Sequence, residues 1–190
     1  MAKRTKNRHR VSVFPTPATE NRHPVSVFPA ALVALTLIVY FGVWSFGFVQ
    51  FDDPQYVSAN PNIADGLTWR GVQWAFTAGY AMNWHPVTWL SHMLDIQLFG
   101  LAPGPAHLVN LLLHTFNVLL LFWFLASTTG ARGASWFVAA LFAVHPLHVE
   151  SVAWISERKD VLSTLFWMLT LVTYARYVRR QDLRRYLLFE

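Results

Sequence analysis

The sequence predicts an all-α, polytopic transmembrane protein with about four spans and interfacial helices in its first outer loop. Three observations carry that reading. Hydrophobic residues make up 54% of the chain and charged residues only 13%, about half the charged share of an ordinary soluble domain. Several uncharged stretches approach or exceed the roughly 20 residues that a bilayer requires. Twelve of the fifteen basic residues fall in three clusters separated by those stretches. A soluble globule and a disordered chain are both excluded by this balance.

Each element follows in order. Residues 1–24 form a basic tail, polar and Pro-containing, expected to be mobile. In it NRHRVSVFP at 7–15 recurs as NRHPVSVFP at 21–29, a local duplication with too few copies for a solenoid. The membrane region is expected over 25–180. Its first span, about 28–51, carries no charge, is longer than a signal-peptide core and has no A-x-A-like cleavage site, so it is retained. A long loop follows at about 52–104. Residues 71–94 within it are uncharged, but they hold Asn83, His85, Pro86, Ser91 and His92 among Trp74, Trp84 and Trp89. Such Trp-rich amphipathic sequence belongs at the membrane interface; a further true span is the alternative. Pro103, Gly104 and Pro105 delay the second span to about 106–126. The third runs over about 134–148, a short loop over about 146–160, and the fourth over about 161–178. Residues 181–190 begin a further cytoplasmic part.

Arg132 and the two basic termini mark the cytoplasmic side by the positive-inside rule, which leaves 52–104 and 146–160 outside. The net charge of +5 is therefore a topology signal rather than a sign of nucleic acid. The exceptions are Arg70, Arg158 and Lys159. The absence of cysteine excludes disulfides, thiolate zinc sites and a cysteine nucleophile. No P-loop, Rossmann glycine motif or G-x-S-x-G is present.

Polar residues beyond what solubility needs gather in the two outer loops. FDDPQYVSANP places Asp52 and Asp53 directly after an apolar run. Such carboxylates can accept a hydroxyl proton or hold a metal ion; a turn before Pro54 is the plainer reading. AMNWHPVTWLSHMLD sets His85 and His92 seven apart, on one helix face if the helix is continuous, with Asp95 three beyond. Pro86 suits a helix start. This face could line a polar cavity or anchor at head groups. HPLHVESVAWISERKD holds His145, Pro146, His148 and Glu150, with Glu150 and Glu157 seven apart near one helix face. Pro146 again fits a helix start. Arg158 and Lys159 run against the charge bias. They fit either an anionic partner such as a lipid-linked phosphate or a local salt-bridge network with Glu157 and Asp160. Together these parts fit group transfer from a membrane-dissolved anionic donor. They also fit an anion transporter.

FDDPQYV, GLTWRGVQWAFTAGYAMNWHPVTWLSHMLDIQLFGL, HLVNLLLH and HPLHVESVAWISERKDVLS resemble the membrane part of bacterial GT-C-type glycosyltransferase-like proteins that carry C-terminal tetratricopeptide repeats. Their animal relatives are transmembrane O-mannosyltransferases with such repeats. The resemblance covers about residues 36–178. It implies a polyprenyl-phosphate sugar donor, a protein hydroxyl acceptor and reaction on the non-cytoplasmic face of a bacterial inner membrane, with the N-terminus cytoplasmic. It puts the catalytic base on Asp52 or Asp53, donor phosphate on Arg158, and acceptor or a divalent metal on Glu150. The same motif includes His145, His148 and Asp160; Lys159 and His85 join the candidate binding residues. The implied transfer is inverting. Members of the family continue for hundreds of residues, so a fragment or a truncated product is expected here. The rival readings are a non-enzymatic membrane scaffold and an anion transporter, the latter without internal symmetry to support it.

Overall fold

The computed structural model describes residues 27–179. The basic tail, most of the duplicated motif and residues 180–190 lie outside the described residues. Within them the chain is helical, with no strand and a single isolated bridge between Tyr80 and Asn83. The helices are α1 (Val27–Val39), α2 (Trp69–Thr77), α3 (Pro86–Phe99), α4 (Pro103–Thr129), α5 (Arg132–Val144), α6 (His148–Ala153) and α7 (Arg158–Arg179).

Three helical stretches are long and apolar enough to cross a membrane: Val27–Ser45, Pro103–Thr129 and Ile155–Arg179. The first joins α1 to a short 3-10 turn at Val43–Ser45; the last joins the turn Ile155–Glu157 to α7. The remaining apolar segment becomes α5, a helix of 13 residues, about 20 Å long at 1.5 Å per residue. Residues 71–94 do not form one helix. They are divided between α2 and α3 by the turn at Tyr80–Asn83.

α4 is the central helix and packs against α1, α5, α6 and α7. Proline stands in its first turn, where a missing N–H costs nothing. It ends at Gly130, whose positive φ of 74° closes the helix. One face carries His107, Asn110, His114 and Asn117, at spacings of three, four and three, which is helical periodicity. Each reaches a neighbouring backbone carbonyl. His107 Nε2 lies 3.3 Å from Gly47 O and His114 Nε2 3.1 Å from Ala143 O. Asn110 donates to Trp154 O at 3.0 Å and Asn117 to Val161 O at 2.9 Å. In an apolar surround such bonds hold helices where hydrophobicity does not discriminate between neighbours. Below this stripe, Leu32, Val118 and Phe122 close on Ala139, Ala140 and Ala143, whose small side chains let α5 approach.

α2 and α3 form a separate layer at the start of α4 and α7. Thr68 caps α2 by accepting from Gly71 N at 3.0 Å. Trp89, Met93, Tyr56, Val57, Ile63 and Ala75 make the core of that layer. Pro86 does occupy the first turn of α3, but Pro146 does not start a helix: α6 begins two residues later, at His148. The expected shared face for Glu150 and Glu157 is also absent. Trp154 is extended (φ −108°, ψ 123°) and separates α6 from the next turn, so the helical register does not carry across.

Candidate functional site at the joined loops

The long loop and the short loop meet at Asp53. The apolar run before it ends in a turn at 50–52, and the side chain is fully buried. Its Oδ2 accepts from Val49 N at 2.7 Å; its Oδ1 accepts from Ser156 N at 3.0 Å and from the Ser156 hydroxyl. A buried carboxylate requires such donors, and here three neutral ones supply them, the two of Ser156 across 103 residues of sequence. Asp52 differs. It is half-buried, its backbone carbonyl accepts from Tyr56 N at 2.8 Å, and its carboxylate has no partner among the described residues. The adjacent pair thus divides into a fixed group and an available one.

Beside this junction lies an open, apolar groove of about 520 Å³, lined by Phe46, Val49, Phe51, Val149, Ala153 and Trp154, with Glu150 as its one carboxylate. Phe51 and Trp154 flank it with ring centroids 6.0 Å apart. Phe51 directly precedes Asp52, so the available carboxylate follows a groove residue.

Arg158 and Lys159 part company. Arg158 is fully buried. Its Nε donates to Asn110 Oδ1 at 2.7 Å, Nη1 to Ser91 Oγ at 3.1 Å and to Asp95, and Nη2 to Ala106 O at 2.7 Å. The guanidinium therefore clamps α3, α4 and α7 together. Of the expected local network, only Lys159–Glu157 forms, at 2.6 Å; Asp160 is exposed and accepts from Ser151 at 3.2 Å. Lys159 Nζ lies 5.7 Å from the Tyr56 ring centroid, and its side chain is 31% exposed.

The histidines fall in two places. His85 stacks on Tyr56 (centroids 5.5 Å) and sits 4.6 Å from Trp89; Asn83 donates to the Tyr56 hydroxyl at 2.8 Å. Burial lowers the His85 pKa, and Lys159 lowers it further. His92 lies beneath, with Asp95, in the wall of a small internal space. Burial holds His92 well below the usual imidazole range, assisted by Arg158 and His85. Burial raises the Asp95 carboxyl, against the opposing pull of Arg158. His145 and His148 are on the other side, where His148 packs 4.3 Å from the Phe142 ring and 5.5 Å from His114. Burial lowers the His148 pKa and His145 adds to that. Among the described residues no group of three or more His, Asp or Glu side chains is placed to hold a metal ion.

The fold therefore brings Asp53, Ser156, Glu157, Lys159, Tyr56 and His85 to one end of the helices, with Glu150 in the adjoining groove. Sequence reasoning passed over Ser156, Asn110 and Tyr56, and named Ser91 only as one of the polar residues of 71–94. The signal for Asn110 was its place in HLVNLLLH, a polar residue in an apolar helix; the others lack one.

No protein-family model matches the chain, and no solved structure matches it. Curated relatives do, among them the following three. Protein O-mannosyl-transferase TMTC1 of Mus musculus is 35% identical over 159 residues, 77% of this chain and 17% of the relative. Protein O-mannosyl-transferase Tmtc2 of Drosophila melanogaster is 31% identical over 157 residues, 78% of this chain and 17% of the relative. Protein O-mannosyl-transferase TMTC4 of Homo sapiens is 30% identical over 172 residues, 80% of this chain and 23% of the relative. Across most of its own length the chain is thus related in sequence to animal protein O-mannosyl-transferases, and it spans between 17% and 23% of the length of these three.

Proposed function

We propose that this chain is the GT-C-type membrane part of a glycosyltransferase that moves a hexose, mannose by its relatives' names, from a polyprenyl-phosphate donor to a protein Ser or Thr hydroxyl. The reaction takes place outside the cytoplasm of a bacterial cell, with the N-terminus inside. The observation that carries the reading is the divided acidic pair. Asp53 ties the two loops through Ser156, while Asp52 is unpaired and directly follows Phe51, which lines an apolar groove.

Asp52 is the base in this reading. It takes the proton of the acceptor hydroxyl as the oxygen bonds to the anomeric carbon from the face opposite the phosphate. The bond from that carbon to the phosphate oxygen breaks, and its electron pair leaves with the lipid phosphate. The outcome is inversion. The prenyl chain occupies the groove of Phe46, Val49 and Trp154, and Glu150 at its wall faces the acceptor. Lys159 is the cation offered to the phosphate, because it is partly exposed whereas the Arg158 guanidinium is enclosed. Arg158 then acts by holding α3 and α7 in register.

A photoactivatable polyprenyl-phosphate mannose, added to membranes containing the chain, tests the donor site. Crosslinks are expected in 46–51 and 149–154, displaced by unlabelled donor. Labelling confined to the α5 or α7 midsections, or labelling that donor does not displace, contradicts the assignment.

A further inference from the structure

The turn between α2 and α3 has an unusual backbone. Ala81 and Met82 both have positive φ, 53° and 60°. Two successive left-handed residues are the pattern of a type I′ turn, which normally selects Asn and Gly because a side chain is disfavoured there. Here the conformation is held from outside. Tyr80 and Asn83 form the bridge that closes the turn. Asn83 Nδ2 donates to Ala81 O at 2.9 Å and to the Tyr56 hydroxyl at 2.8 Å. The Tyr80 ring is fixed against Trp74 and Trp89. The result is that Met82 stands 99% exposed at the tip.

The tip does not stand alone. Trp84 is 65% exposed, and its indole N–H donates to Phe76 O at 3.0 Å, so it lies beside Phe76, itself 51% exposed. Trp69, 75% exposed, is seven residues before Phe76 and shares its helix face; Gly71 and Ala75 are the buried face. Residues 71–94 carry no charge. At the edge of the exposed face Arg70 is exposed and has no partner among the described residues. An uncharged aromatic surface bordered by one unpaired cation does not suit water. It suits the head-group region, where indoles settle and arginine reaches phosphate. The layer is also continuous with membrane-crossing helices: α3 leads through the exposed Leu98, Phe99 and Leu101 into α4 within four residues.

We propose that the Tyr80–Asn83 turn is a lipid-inserted tip. Met82, with Trp84, Phe76 and Trp69, enters the head-group and upper acyl region of the bilayer, and Arg70 pairs with lipid phosphate. The strained turn serves to aim Met82 into the bilayer, and Asn83 links that position to the Tyr56 ring. This role is independent of the transfer reaction.

The chain has no native cysteine, so single nitroxide labels test the idea directly. Met82→Cys, Asp65→Cys and Trp167→Cys are labelled and reconstituted in vesicles of phosphatidylcholine with phosphatidylglycerol. Relaxation by oxygen and by a water-soluble nickel chelate is then compared. Position 167, exposed on α7, reports the bilayer interior, and exposed position 65 reports water. The expected result is that the label at 82 favours oxygen over chelate by several-fold relative to the label at 65, at a depth shallower than 167. A label at 82 as open to chelate as the one at 65 overturns the proposal, and so does chelate access at 167, which removes the spans as well.

Discussion

Asp52 and Asp53 are identical in chemistry and adjacent in sequence, yet one is enclosed by three donors and the other has none. Nothing in FDDP distinguishes them, because Ser156 lies 103 residues away and the contact exists only after folding. Arg158 teaches the same lesson in the opposite sense. Its departure from the charge bias marks it as special, but its partners come from Ser91, Asp95, Ala106 and Asn110 on two other helices. Replacing Arg158 by Met leaves Asp95 buried without its cation, so a loss of about 3–5 kcal/mol is expected in detergent unfolding. The double variant Arg158→Met with Asp95→Leu should recover a substantial part of that loss. A double variant no more stable than the single one contradicts the clamp. His92 gives a pH prediction. Its folded pKa lies well below the ordinary 6.5, so the unfolded chain binds a proton that the folded one does not. Stability is full above about pH 6.5 and falls as the pH drops below it. His92→Phe should lessen the fall in melting temperature between pH 7 and 5, leaving the contributions of the other histidines. An unchanged slope would refute the assignment.

The long apolar elements were legible because a bilayer imposes length and an absence of charge, and these are local properties of sequence. The three membrane-crossing candidates fall where those runs lie. What the runs did not disclose is the division of the short loop. Trp154 adopts an extended conformation while its carbonyl accepts from Asn110 Nδ2, and this tertiary bond stops a helix that periodicity would continue. The polar stripe of α4 belongs to the same category: its spacing is readable, its carbonyl partners are not. Gly104 tests the packing of α4's first turn. A Cβ there would lie 2.7 Å from the Trp44 carbonyl oxygen, whereas one at Gly133 in α5 would meet nothing within 4 Å. Gly104→Ala should therefore destabilise by about 1–3 kcal/mol. Gly133→Ala should be neutral or stabilise by up to about 1 kcal/mol. Equal effects in thermal unfolding would contradict the close approach of α4 to Trp44.

For the whole molecule, hydropathy and charge sorting predicted an all-α membrane protein, and the described residues hold helices without a strand, three stretches of them long and apolar enough to cross a membrane. The site is a property of the assembled end of the bundle, where α1's exit, the α3 layer and the α6–α7 break converge. In the proposed function Asp52 is the free base and Asp53 the tie between the loops. The direct measurement is transfer of labelled mannose from polyprenyl-phosphate mannose to a Ser/Thr peptide by membranes containing the chain, its Asp52→Asn variant and its Asp53→Asn variant. Asp52→Asn is expected to lower turnover by ~100-fold or more with donor crosslinking and thermal stability retained, whereas Asp53→Asn is expected to lower stability along with activity. Wild-type turnover in Asp52→Asn would contradict that assignment.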